Sequence, residues 1–235
     1  VYGRRRVGKT FLVEEFFNRQ YDFSFVGGHN LPVKKQLRNF AKAIKHYARL
    51  PKLPEFADWS EAFDSLTGWI ESQSSDHKKV IFFDEMPWID TPKSDFVEEF
   101  ENFWNGWAAR RKDILFVATG SATSWMIDKL VENQGGLHCR ITNSNYLNPF
   151  TLYESEQYLR ARRCAWDRYQ ILQAYMILGG VPFYWSLLDT RLSLVQNIDR
   201  LFFRKNALLK IEFDELYNAL FSHAEYYIQV VQLLA

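Results

Sequence analysis

The 235-residue chain is 47% hydrophobic and 24% charged, enough to bury one large α/β core and leave residues for a second, smaller module. A formal net charge of +1 supplies no global field toward nucleic acid or anionic lipid. The two cysteines, Cys139 and Cys164, stand in no metal-ligand or redox spacing, and no signal peptide or membrane-length apolar run is visible, so the expectation is a cytoplasmic protein with no membrane partner.

The chain is expected to be an excerpt of a longer one. Val1 is not an initiator methionine, and the apolar run over residues 226–235 stops in mid-pattern. In chain order, residues 11–18 read as a helix with apolar Leu12, Phe16 and Phe17, and residues 23–26 as a strand. Residues 34–49 carry helical period through Leu37, Phe40, Ala41, Ile44 and Tyr47; Pro51 and Pro54 break it, and a second helix follows over 59–72. Residues 79–83 form an apolar run of strand length. Ser94 is placed to cap a helix whose apolar face is Phe96, Phe100, Phe103, Trp104 and Trp107, a pattern better explained as core than as a base-stacking surface. A strand is predicted over 114–118, a helix over 121–131 and a last strand over 141–146. This alternation predicts an α/β fold, a parallel sheet covered by helices on both faces, as far as Asn148-Pro149. Beyond it, residues 152–163, 167–178 and 192–201 are helical by period and no strand is evident.

Gly3-Arg4-Arg5-Arg6-Val7-Gly8-Lys9-Thr10 satisfies G-x-x-x-x-G-K-[ST] at every required position, a match expected by chance in about one chain per hundred of this length. In such a loop the glycines let successive N–H groups curl around phosphate oxygens, and the following helix adds its positive dipole end. Lys9 neutralises phosphate charge, and the Thr10 hydroxyl ligates magnesium. The matching acidic element is Val80-Ile81-Phe82-Phe83-Asp84-Glu85, in which a buried strand ends in two carboxylates. Asp84 is suited to the magnesium shell opposite Thr10, and Glu85 to orienting or deprotonating an attacking water. Asp84-Glu85 alone would read as an acidic turn; beside the loop, the paired acid favours hydrolysis over phosphoryl transfer to a substrate hydroxyl.

These residues resemble the archaeal-type ATPases, P-loop NTPases of the STAND branch related to AAA+ proteins, some with a C-terminal DUF234 region. The resemblance rests on Tyr2 through Thr10 and on the Asp84-Glu85 strand, and three further marks follow in order. Thr119-Gly120-Ser121 is similar to the polar strand end where a hydroxyl senses the γ-phosphate; Ser121 is the first choice and Thr119 the second, with Ser121 as a helix cap the alternative. Arg140 resembles an arginine finger or phosphate sensor, against an ordinary surface arginine. Gly179-Gly180-Val181-Pro182 resembles a GxP element whose proline lies near adenine, against a Gly-Gly helix terminus. The family implies ATP and Mg2+ as nucleotide and metal, ATP hydrolysis to ADP as the activity, and three parts. These are a P-loop core over 1–149 with its first strand truncated, a helical lid over 150–207, and the start of a winged-helix-like region over 208–235, marked by 213–221. Self-association, and DNA held through the C-terminal region, are the macromolecular partners it leaves open. A nucleotide-gated switch with negligible turnover uses the same residues. No guanine-reading N-K-x-D element follows a late strand, and a kinase would need an arginine-rich lid where only Arg160, Arg162 and Arg163 are scattered.

Overall fold

The computed structural model describes residues 1–73, 77–132, 136–137, 140–210, 212 and 224–234. The readings made of Cys139 and of residues 213–221 lie outside them. The chain divides into two units, Val1–Asn148 and Pro149–Ala235.

The first unit is built on three parallel strands in the order β1 (Phe23–Val26), β2 (Lys79–Asp84) and β3 (Ile114–Ala118). All six residues of β2 are buried, as expected of an apolar run with sheet neighbours on both sides and helices above and below. Neighbouring side chains on a strand point to opposite faces. Phe83 meets Phe40 of α2 (Val33–Tyr47) and Phe63 of α3 (Trp59–Ser72), whereas Phe82 faces Tyr21, with ring centroids 5.2 Å apart. α4 (Phe96–Gly106) completes the Phe83 side with Phe96, Phe100 and Phe103. The aromatic richness of the sequence is therefore spent on this core, where each fully buried Phe contributes about 2–3 kcal/mol through area removed from water. Asp58 caps α3 by accepting the Glu61 N–H, and the Ser94 hydroxyl accepts the Phe96 N–H at the start of α4.

Three expectations change. α1 (Lys9–Phe16) buries Lys9 and Val13, while Phe11, Leu12 and Phe16 are exposed, so the apolar stripe read over 11–18 is not its core-facing side. Residues 141–146 are not a strand. Tyr2 bridges Tyr146 on one side and Gly120 on the other, and Asn145 and Leu147 exchange backbone bonds with Tyr2, so the segment pairs through Tyr146 alone. Residues 141–145 instead line a cavity of about 660 Å³ with Leu115, Val117 and Phe16, beside β3. The helix predicted over 121–131 forms as a short turn, α5 (Thr123–Met126), widening into π-type backbone over Ile127–Val131.

In the second unit the described elements are α6 (Leu152–Ala161), α7 (Arg168–Leu178), α8 (Pro182–Ser186), α9 (Leu194–Ile198), running on as π-type backbone over Asp199–Phe203, and α10 (Ala224–Leu234). No strand occurs among its described residues. Thr151 with Glu154, Asp167 with Gln170 and Ser193 with Gln196 form capping boxes that start three of these helices. Leu159, Trp166, Ile171, Leu178, Trp185 and Leu188 form the core. Arg160 donates to the carbonyls of Cys164 and Trp166, and Arg162 to those of Trp185 and Leu188. Two of the three scattered arginines thus satisfy helix-end carbonyls of the fold. Among the described residues, no helix is long and apolar enough to cross a membrane.

Candidate functional site

The carboxyl edge of the sheet gathers the predicted residues. Parallel register sets the end of β1 beside Asp84 (Val26 opposite Asp84) and the end of β2 beside β3 (Phe83 opposite Ala118). The loop over 3–10 leaves Tyr2 at the same edge, turns through positive φ at Gly3, Arg6 and Gly8, and enters α1 directly at Lys9. Gly8 is the N-cap residue and has φ 95°, a conformation costly for any side chain with a Cβ.

Lys9 is 4% exposed, and its ammonium donates to the carbonyls of Gly3 (3.1 Å) and Arg4 (3.0 Å). Burial pushes its pKa below the usual lysine value. The charges of Glu85 and Asp84 pull the other way, and Arg5 adds to the lowering. Thr10 donates its hydroxyl proton to Asp84, with Oγ1 2.9 Å from Oδ2 and 3.1 Å from Oδ1. A threonine hydroxyl has one proton and two lone pairs, so this bond leaves the oxygen free to face a cation. One hydroxyl and one carboxylate form a hard oxygen donor set of the kind Mg2+ takes alongside waters and substrate phosphates. Among the described residues, no cluster of three or more His, Cys, Asp or Glu offers an all-protein metal cage.

Glu85 follows at the strand end in left-handed backbone, φ 49° and ψ 48°, an uncommon state for a residue other than glycine. Its side chain turns to β3: Oε2 accepts both the Ser121 N–H (3.0 Å) and the Ser121 hydroxyl (2.7 Å). Ser121 is therefore committed to Glu85, and α5 begins after Ala122 without a side-chain cap. Thr119 is fully buried. Its hydroxyl accepts the Glu85 N–H at 3.1 Å and donates in a short bond to Asp84 Oδ1.

The structure thus brings together the loop, Lys9, Thr10, Asp84, Glu85 and Ser121. No described bond joins Arg140 to them: it is exposed and lines the 660 Å³ cavity that runs along β3 from Arg111 to Ala118. Pro182 opens α8 in the second unit, where Gly180 accepts the Phe150 N–H at 2.7 Å. Gln36 had no signal in the motifs. Fully buried, it accepts the Gly28 N–H and donates to the carbonyls of Gly28 (2.8 Å) and Trp88 (2.6 Å), tying the loop after β1 to the turn after Glu85. The only sequence clue was Gly27-Gly28 directly after a predicted strand.

No family model matches the chain. An uncharacterized protein of Methanocaldococcus jannaschii is 24% identical over 225 residues, 92% of this chain and 46% of that protein, so the chain spans about half the length of this relative. A Signal Transduction ATPase with Numerous Domains carrying a tetratricopeptide repeat sensor, from Pyrococcus horikoshii, aligns over 94% of this chain and 30% of its own, at 19% identity and a TM-score of 0.49. A Walker-type ATPase of Pyrococcus abyssi superposes with a TM-score of 0.60 at 16% identity, covering 92% of this chain and 69% of that one. The last likeness, together with the parallel sheet flanked by helices and the loop at its carboxyl edge, gives the chain the α/β fold of the P-loop ATPases.

Proposed function

We propose that this chain binds ATP with magnesium at the loop over 3–10 and hydrolyses it to ADP and phosphate, as a nucleotide-driven switch. The observation that carries the reading is the direct bond between Thr10 and Asp84, with Glu85 next in the chain, since it joins the loop to the acidic strand end in one oxygen-rich cluster. Backbone N–H groups of the loop and the start of α1 receive the phosphates. Lys9 exchanges the carbonyls of Gly3 and Arg4 for β- and γ-phosphate oxygens, a stronger partner for a buried ammonium. Thr10 and Asp84 would hold magnesium, which when bound neutralises charge on the β- and γ-phosphates. Glu85 takes a proton from a water whose oxygen bonds to the γ-phosphorus; the bond from phosphorus to the β,γ-bridging oxygen breaks, and ADP leaves with that electron pair. On the same reading Arg4, Arg5, Arg6 and Val7 supply loop backbone, and Ser121 orients Glu85. In this reading Arg140 acts as the arginine finger, toward its own site or that of a neighbouring copy.

A second reading, a nucleotide-gated module with negligible turnover, is favoured by one observation: Glu85 Oε2 is already held by two donors from Ser121. Steady-state phosphate release from the intact protein and from Glu85→Gln separates the two. Turnover that falls 100-fold or so in the variant, with ATP affinity kept, supports hydrolysis through Glu85. Unchanged turnover in Glu85→Gln refutes the general base, and background turnover in the wild type favours the module.

A further inference from the structure

We propose that Thr119 is a positioning residue shared by the two acids: its single buried hydroxyl fixes Asp84 for the metal and Glu85 for the water. The proposal rests on the nucleotide-site reading above and adds a residue to it.

The donor and acceptor inventory decides the direction of each bond. A backbone N–H can only donate, so Thr119 Oγ1 accepts from Glu85, and its one proton goes to Asp84, whose carboxylate can only accept. The threonine is 0% exposed and spends its proton and a lone pair on these two partners, so it is not free to reach a phosphate. The backbone of the same residue closes the seam on either side. Its N–H donates to Phe83, one residue before Asp84, and its carbonyl accepts from Met86, one residue after Glu85. Four bonds from one residue of β3's end therefore bracket the acid pair. Glu85 stands in left-handed backbone that an unconstrained chain would leave, and the amide bond to Thr119 is one of the restraints that keep it there.

The two hydroxyls on Asp84 have different duties. Thr10 stands in the first turn of α1, and its oxygen keeps a lone pair for a cation. Thr119 stands on the sheet and orients the carboxylate whichever state the loop is in. Without it, Asp84 keeps the Thr10 proton and the amide of Glu85 at 3.1 Å, but loses the donor that comes from the rigid side.

Thr119→Val preserves shape and removes the hydroxyl; Thr119→Ser restores it. ATP affinity is measured on the intact protein with and without Mg2+, together with kcat for phosphate release. The expected result for Thr119→Val is a loss of about tenfold in the Mg2+-dependent gain of affinity, the worth of one charge-assisted bond, with metal-free affinity kept. kcat at saturating Mg2+ falls as well, and both properties return in Thr119→Ser. Thr119→Ala is read the same way where the valine variant does not fold. A folded Val or Ala variant with wild-type Mg2+ dependence and kcat overturns the proposal even if its melting temperature drops, and so does a folded serine variant that fails to recover. A wild type that shows no Mg2+-dependent ATP affinity overturns the site reading and this inference together.

Discussion

Gly179 and Gly180 sit side by side before Pro182, and the structure assigns them different reasons for lacking a side chain. A Cβ on Gly180 would fall 1.9 Å from the Phe150 carbonyl oxygen and 2.8 Å from its carbon, both backbone atoms with no rotamer to yield. Gly180→Ala must therefore push residue 150 away, breaking the bond from the Phe150 N–H to Gly180 (2.7 Å) and the bond from the Tyr175 hydroxyl to the Phe150 carbonyl (3.0 Å). At about 1 kcal/mol for each bond, plus a similar amount for displaced packing, the loss comes to about 3 kcal/mol. Gly179 has open space where a Cβ would go, but its φ of 59° and ψ of -167° lie in a region kept almost wholly by glycine, so Gly179→Ala costs about 2 kcal/mol of backbone strain and Gly179→Asn about the same. Urea denaturation followed by tryptophan fluorescence, with Trp185 donating to the Gly179 carbonyl as the local probe, measures all three variants. A Gly180→Ala protein as stable as wild type, or a Gly179→Asn protein far more stable than Gly179→Ala, would refute the reasoning.

The lysine gives a pH prediction. Because burial lowers its pKa in the folded state, the unfolded chain binds the proton more tightly. Lys9 therefore disfavours the fold at pH below its lowered value, and stability rises as pH climbs from there toward the unfolded pKa near 10.5. Phosphate binding raises that pKa again, so ATP binding at alkaline pH takes up protons; calorimetry in buffers of different ionisation enthalpy should show the uptake, and Lys9→Met should abolish it. Arg162→Ala should destabilise the second unit by about 2 kcal/mol, because the carbonyls of Trp185 and Leu188 lose a shared cation. Thermal melting of the variant tests this, and an unchanged melting temperature would mean that the arginine is not committed to the fold.

Much of the site was legible because its chemistry is local in sequence. The loop over 3–10 carries its glycines, lysine and threonine at fixed offsets, and the strand that ends in Asp84-Glu85 announces itself by four apolar residues. The aromatic face of α4 was equally readable, since period alone placed Phe96, Phe100 and Phe103 inside. What could not be read depended on pairs distant in the chain. Ser121 and Thr119 were candidates to sense a phosphate, but which partner a hydroxyl takes is fixed by the β2–β3 register, and that register brings them to Glu85 and Asp84. Gln36 acts across 52 residues to Trp88 and left no motif. The stretch expected as a strand over 141–146 makes a single bridge, Tyr146 to Tyr2, a pairing between opposite ends of the first unit that no local pattern encodes.

The Gln36 clamp makes the stretch behind Glu85 and the outer loop after β1 a single mechanical piece. Moving either alone would strand buried amide groups of Gln36, Gly28 and Trp88 at about 1–3 kcal/mol each. On the other flank the acids are fastened to the end of β3 by the hydroxyls of Thr119 and Ser121, the Ser121 N–H and the backbone bonds of Thr119, which continue the β2–β3 ladder. The acids are thus pinned to the end of β3 on one side and joined to the outer loop by the Gln36 clamp on the other, so the clamp is a lever anchored at the acid pair. Exposed His29 stacks edge-on against Trp88, with centroids 5.0 Å apart, so the outer end of that lever reaches solvent and an indole rides on it.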